Sequence, residues 1–79
     1  MRRRMTKEDL QEAYKLTTKS LKQMYEQTIL FFKIRDDFLK QQNFRAAVQQ
    51  EKIIEKHLNT VTKMQKILST YKGKLNESN

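Results

Sequence analysis

The sequence predicts an all-α protein, an antiparallel two-helix hairpin that dimerises into a four-helix bundle. Three observations carry that expectation. The 79 residues include no Pro and one Gly, so almost nothing interrupts a helix between residues 6 and 72, and the Val/Ile/Thr alternation between turn pairs that marks strands is missing. Apolar residues recur at alternating spacings of four and three in both halves of the chain. The phase of that spacing slips by two residues between Leu39 and Phe44. A continuous coiled coil absorbs slips of three or four, so a slip of two marks a turn.

The chain is read as one small domain, 1–79. Residues 1–5, with Arg2, Arg3 and Arg4, form a basic flexible arm. Thr6 and Asp9 approximate a capping box, and Glu8, Asp9 and Glu12 place negative charge on the positive end of a helix dipole. Helix 1, segment 6–41, therefore starts at about Lys7. The turn falls at Gln41-Gln42-Asn43, where Asn43 suits either an N-cap or a left-handed backbone. Asp36-Asp37 offers an alternative, the cap of a short third helix near 36–43. Helix 2 spans 44–72 and stops at Lys72-Gly73-Lys74, because Gly tolerates the left-handed conformation past a C-terminus and Lys complements the carbonyl end. Residues 73–79 are expected to fray.

In helix 1 the contact seam reads Leu10, Tyr14, Thr17, Leu21, Met24, Thr28, Phe31, Arg35 and Phe38. In helix 2 it reads Phe44, Ala47, Glu51, Ile54, Leu58, Val61, Gln65, Leu68, Lys72 and Leu75, and a second seam runs beside it through Ile53, His57, Thr60, Met64, Ile67 and Tyr71. The apolar arc is about 160° wide, more than one partner helix covers. Helix 1 shows the same excess at Tyr25, Ile29, Phe32, Ile34 and Leu39. The surplus residues Tyr25, Ile29, Phe32, Ile34, Leu39, Ile53, His57, Met64, Ile67 and Tyr71 are the expected protein interface, for a second copy or a larger protein. Arg35 and Glu51 sit at seam positions near the turn. They are expected to meet across the hairpin, at a cost in stability but fixing the register.

Hydrophobic residues make up 37% of the chain, against about 45–50% in ordinary globular domains. Below roughly 70–80 residues a single core rarely supplies more than about 3–5 kcal/mol without staples, and a chain without Cys has neither disulfide nor thiolate metal site. The missing core is therefore expected from association. His57 is the one histidine, and Glu51 and Glu55 do not share its i, i+4 face, so no metal site is expected. Asp36 and Asp37 point about 100° apart on a helix and cannot share a proton. No Gly-rich phosphate loop or nucleophile elbow is present, so neither an enzyme, a cofactor nor a small-molecule substrate is expected. The longest apolar run, Ile29 to Phe32, is far shorter than the ~20 residues of a membrane span. Met1-Arg2-Arg3-Arg4 leads into no apolar stretch, so no signal peptide is expected and the location should be cytoplasmic.

Lys plus Arg number 17 and Asp plus Glu 9, a net charge of +8. In an antiparallel hairpin the start of helix 1 lies beside the end of helix 2. Arg2, Arg3, Arg4 and Lys7 would thus join Lys56, Lys63, Lys66, Lys72 and Lys74 at one basic pole, linked by Lys15, Lys19 and Lys22. Such a pole suits a phosphate backbone, an acidic protein surface, or simply the solubility of a sticky bundle. The reading that follows is a non-enzymatic protein-interaction module, an adaptor, inhibitor or chaperone-like regulator of a larger protein. The alternative is a nucleic-acid-binding or architectural protein working through the basic pole.

Overall fold

The computed structural model describes residues 6–77. Two α-helices of 34 residues each, α1 (Lys7–Lys40) and α2 (Phe44–Glu77), pack against each other along their length in an antiparallel hairpin of 55 × 23 × 16 Å. Thr6 starts α1 with a full capping box: its Oγ1 accepts from the Asp9 amide at 3.1 Å, and Asp9 Oδ2 accepts from the Thr6 amide at 3.3 Å. The basic arm expected at residues 1–5 lies outside the described residues.

The turn is where local sequence decides the topology. The Asn43 amide donates to Phe38 O at 2.9 Å and the Gln42 amide to Leu39 O at 3.0 Å, the paired closure that ends many helices. Asn43 then starts α2 at once, its Oδ1 accepting from the Ala46 amide at 3.3 Å. The residue that takes the left-handed backbone is Gln42, at φ 58°, a position usually held by Gly. No third helix forms at 36–43: residues 36–40 complete α1, because unbroken backbone hydrogen bonding outcompetes the caps Asp36 and Asp37 offer.

Two expectations need correction. The stop at Gly73 does not occur, and α2 runs through it to Glu77 with no positive-φ glycine in the chain. A Gly without a Pro or a tertiary contact behind it weakens a helix without ending it. The contact seam of α2 also differs: Glu51, Leu58, Gln65 and Lys72 each give way to the residue before them while Ala47, Ile54, Val61, Leu68 and Leu75 stay, a turn of the helix by about 50°. Buried or half-buried positions follow Ala47, Gln50, Ile54, His57, Val61, Met64, Leu68, Tyr71 and Leu75, whereas Glu51, Leu58, Gln65 and Lys72 are exposed. The expected seam would have buried Glu51, Gln65 and Lys72 together. Turning the helix replaces them with Gln50, Met64 and Tyr71, which cost less to desolvate. In α1 the seam from Leu10 to Phe38 is buried or half-buried at every predicted position.

The chain's glycine and its left-handed residue are thus at different places, which makes a paired prediction. A Cβ at Gly73 would meet nothing within 4 Å, so Gly73→Ala should stabilise by up to about 0.5–1 kcal/mol. Gln42→Gly should stabilise by about 1 kcal/mol by relieving a left-handed side-chain clash. Urea midpoints check both, and a loss of stability in either variant refutes the corresponding placement.

Candidate protein-interaction surfaces

The hairpin buries few apolar side chains: Leu10, Leu21, Ala47, Ile54 and Val61. Its alignment is set instead by polar side chains that cross from one helix to the other. Buried Gln50 donates from Nε2 to the backbone oxygen of Phe31 at 3.2 Å. Seven residues on, His57 Nε2 lies 2.9 Å from Met24 O and 2.9 Å from Thr28 Oγ1. Met24 O can only accept, and Thr28 Oγ1 sends its own proton to that carbonyl at 2.8 Å, so His57 Nε2 carries the hydrogen and donates. The imidazole also meets Phe31 edge-to-face, with centroids 5.0 Å apart and planes at 81°. No buried side-chain nitrogen or oxygen among the described residues lacks a partner.

Near the turn, Arg35 Nη1 donates to Glu51 Oε1 at 2.8 Å, while its Nε and Nη2 reach Asp36 Oδ1 at 3.3 and 3.1 Å. The guanidinium carbon stands 4.9 Å from the centre of the Phe32 ring, a cation–π arrangement. Hydrogen bonding to Glu51, then to Asp36, raises Arg35 above its ordinary range, so its charge is kept at any working pH. Toward the other end, Gln65 Nε2 donates to the Tyr25 hydroxyl at 2.8 Å.

The exposed apolar residues fall on two opposite sides of the hairpin. On the first face, exposed Tyr25 and Leu39 and half-buried Phe32 recur every seven residues along α1, with Ile29 at 69% exposure. Across the groove lie Phe44, Val48 and Leu58 of α2, at 63%, 55% and 40% exposure. Phe32, Val48, Ile54 and Leu58 line one open depression, with Glu51, Lys52 and Glu55 at its rim; Tyr14, Leu21, Tyr25, Gln65 and Leu68 line another farther from the turn, with Ser69 and Lys72. On the second face, helical phase groups Leu16, Leu30 and Ile34 of α1 with Ile53 and Ile67 of α2, all exposed.

The expected interface is therefore divided. Tyr25, Ile29, Phe32 and Leu39 lie on the first face, and Ile34, Ile53 and Ile67 on the second. His57, Met64 and Tyr71, expected to be left over for a partner, are half-buried instead, on the seam that meets α1, because of the turn of α2. Leu16, Val48 and the exposure of Phe44 and Leu58 were not foreseen. The signal was present: Phe44, Val48 and Leu58 each stand one helical turn from an apolar residue, and Leu16 stands two heptads from Leu30.

The described basic residues form an edge as well as part of the expected pole. Arg45, Lys52, Lys56 and Lys63 lie within about 40° of one another along the outer edge of α2, Lys52 at the rim of the first-face depression and Lys56 and Lys63 beside the second face. Lys15 and Lys22 lie on the first-face side of α1 and Lys19 on its back. Lys7, Lys72 and Lys74 are at the open end, Lys66 is on the back of α2, and Arg2, Arg3 and Arg4 lie outside the described residues. Among the described residues no group of three His, Cys, Asp or Glu is placed to hold a metal ion, and no helix is long and apolar enough to cross a membrane. Comparison with protein-family models, with curated proteins and with solved structures found no match.

The crossing hydrogen bonds make a prediction about uniqueness. Replacing Gln50 and His57 together by Leu should leave stability within about 1 kcal/mol of the parent, since apolar pairs of similar volume offset lost buried polar contacts. The register should become less unique, with amide resonances near residues 24–31 and 50–57 doubled or broadened. One sharp set of resonances in the double variant would show that these side chains do not set the register.

Proposed function

We propose that the chain is a non-enzymatic protein-interaction module, an adaptor, inhibitor or regulator that completes its core against other helices. The observation that carries this reading is the excess of apolar surface over core. Among the described residues eleven large apolar side chains are exposed and only five hydrophobic ones are buried; single exposed residues are ordinary, but these are collected on two opposite faces. A second copy covers one face and builds a four-helix bundle. The other remains for a different protein.

The second face suits that role. Its apolar centre, Ile34, Ile53 and Ile67, is bordered on α2 by the basic edge holding Lys56 and Lys63. The partner it fits is an amphipathic helix with acidic flanks. The basic edge also supports a second reading, in which the same lysines contact nucleic-acid phosphates.

The two readings separate on one pair of variants. Ile53→Asp/Ile67→Asp should weaken a partner identified by affinity purification, and re-tested as a purified protein, by about 10–100-fold while helix content is unchanged. Lys56→Glu/Lys63→Glu should weaken it less and in a salt-dependent way. Binding of duplex DNA or RNA that falls steeply with salt, is lost in the lysine variant and ignores the isoleucine variant would replace the protein-partner reading with phosphate contact.

A further inference from the structure

We infer that the first face takes a second copy of this chain, related by a two-fold axis that crosses the helices at Ile29 and Leu58. The inference deepens the interaction-module reading and rests on it. Its basis is a complementary pair of charges on the first-face side of α1, set symmetrically about Ile29. Lys22 and Asp36 stand seven residues to either side of it and share its azimuth. Turned end for end about Ile29, α1 places Lys22 opposite Asp36 of the second copy. The pairing occurs twice, as an isologous contact requires.

The apolar residues obey the same symmetry. Ile29, the most exposed of them, meets its own copy, and Tyr25 comes opposite Phe32 on both sides of the axis, giving two aromatic pairs. On α2, the bonds Arg35–Glu51 and Tyr25–Gln65 set Leu58 level with Ile29. Leu58 therefore meets Leu58, and Glu51 comes opposite Gln65. Asp36 already accepts from Arg35 through Oδ1, and its Oδ2 is the atom that would accept from the Lys22 ammonium of the second copy.

Charge also decides between the two ways of stacking one hairpin face on another. A two-fold axis parallel to the helices would lay α1 on α2 of the second copy at equal heights. Asp36 would then face Glu51 and Glu55, like charges in a partly desolvated contact, which costs affinity. The perpendicular axis lays α1 on α1 and α2 on α2 without such a clash. The hairpin as a whole is 55 Å long and 23 Å across, so one broad side is large enough to supply the ~800 Å² per partner of a stable association.

The chain has no cysteine, so single substitutions report the contact directly. Ile29→Cys and Leu58→Cys should each form disulfide-linked dimers under mild oxidation at least about tenfold faster than Ile53→Cys on the opposite face, given the high effective concentration inside a complex. In a mixture of the Ile29→Cys and Leu58→Cys chains, like should link to like. Links mainly between the two different variants would establish the parallel axis and overturn the proposal, as would rates no greater than the Ile53→Cys control. Sedimentation gives a second reading. Lys22→Asp alone and Asp36→Lys alone should each weaken the dimer by at least about tenfold, and an equimolar mixture should recover it as a heterodimer. Lys22→Asp lowers the net positive charge, so stronger association of that variant would mean that general repulsion, not this pairing, governs assembly. Partner capture through the second face is read separately with Ile53→Asp/Ile67→Asp, so either reading can fail without the other.

Discussion

The structure depends on a short series of polar contacts between helices that bury little else. Two helices of 34 residues meet along a seam with five buried hydrophobic side chains, and such a seam has many nearly equivalent registers. Sliding one helix by a heptad would still put apolar residues opposite apolar residues. What such a slide destroys is the match of side chain with side chain, His57 with Thr28 and Arg35 with Glu51, since a backbone carbonyl recurs at every heptad. Gln50 and His57 are seven residues apart, and so are the carbonyls they reach. The carbonyl contacts of Gln50 and His57 thus share the repeat of the apolar seam, and the side-chain pairs His57–Thr28 and Arg35–Glu51 choose among its registers. Their role is selection among registers, since buried polar groups seldom stabilise more than the apolar residues that could replace them.

That choice of seam determines what is left outside. Turning α2 so that Gln50 and His57 face α1 carries Leu58 and the acidic pair Glu51 and Glu55 to one side and Ile53, Ile67, Lys56 and Lys63 to the other. The two faces therefore differ in charge for the same reason that the hairpin has a register. The first face holds acids and bases together, with Lys15, Lys22 and Asp36 on α1 and Glu51, Glu55, Lys52 and Lys72 on α2. The second holds a run of bases along α2. A face of mixed sign suits self-association, where every charge must meet its own set reversed, and a one-signed edge suits a different molecule carrying the opposite sign.

How far the fold was legible follows from where each signal resides. The capping box at Thr6, the phase slip before Phe44 and the seam of α1 are properties of neighbouring residues, and reading the chain alone recovers them. The seam of α2 is not such a property. Two candidate seams lay side by side, and spacing could not rank them, because Val61, Ile54 and Leu68 belong to both the expected and the observed contact. Only the carbonyls of α1, which no pattern in α2 reveals, make His57 and Gln50 better inward residues than Leu58 and Glu51. The interface set inherited that error, so Tyr25, Ile29 and Phe32 were found but were grouped with residues of the opposite face and with three of the hairpin's own contacts. Gly73 was misread for a related reason: a glycine ends a helix only where the chain beyond has somewhere to go.

The thinness of the seam ties assembly to stability. A hairpin with so small a core has little free energy in reserve, and any surface it buries by association adds directly to the free energy that keeps it folded. A second copy on the first face would cover Tyr25, Ile29, Phe32 and Leu58 around the level of His57, where the polar contacts that fix the register are made. Covering them excludes water from those hydrogen bonds and strengthens them in a lower dielectric. Association and register would then support each other. Thermal stability should accordingly rise with protein concentration, and the second face should be presented in a fixed geometry only by the assembled form.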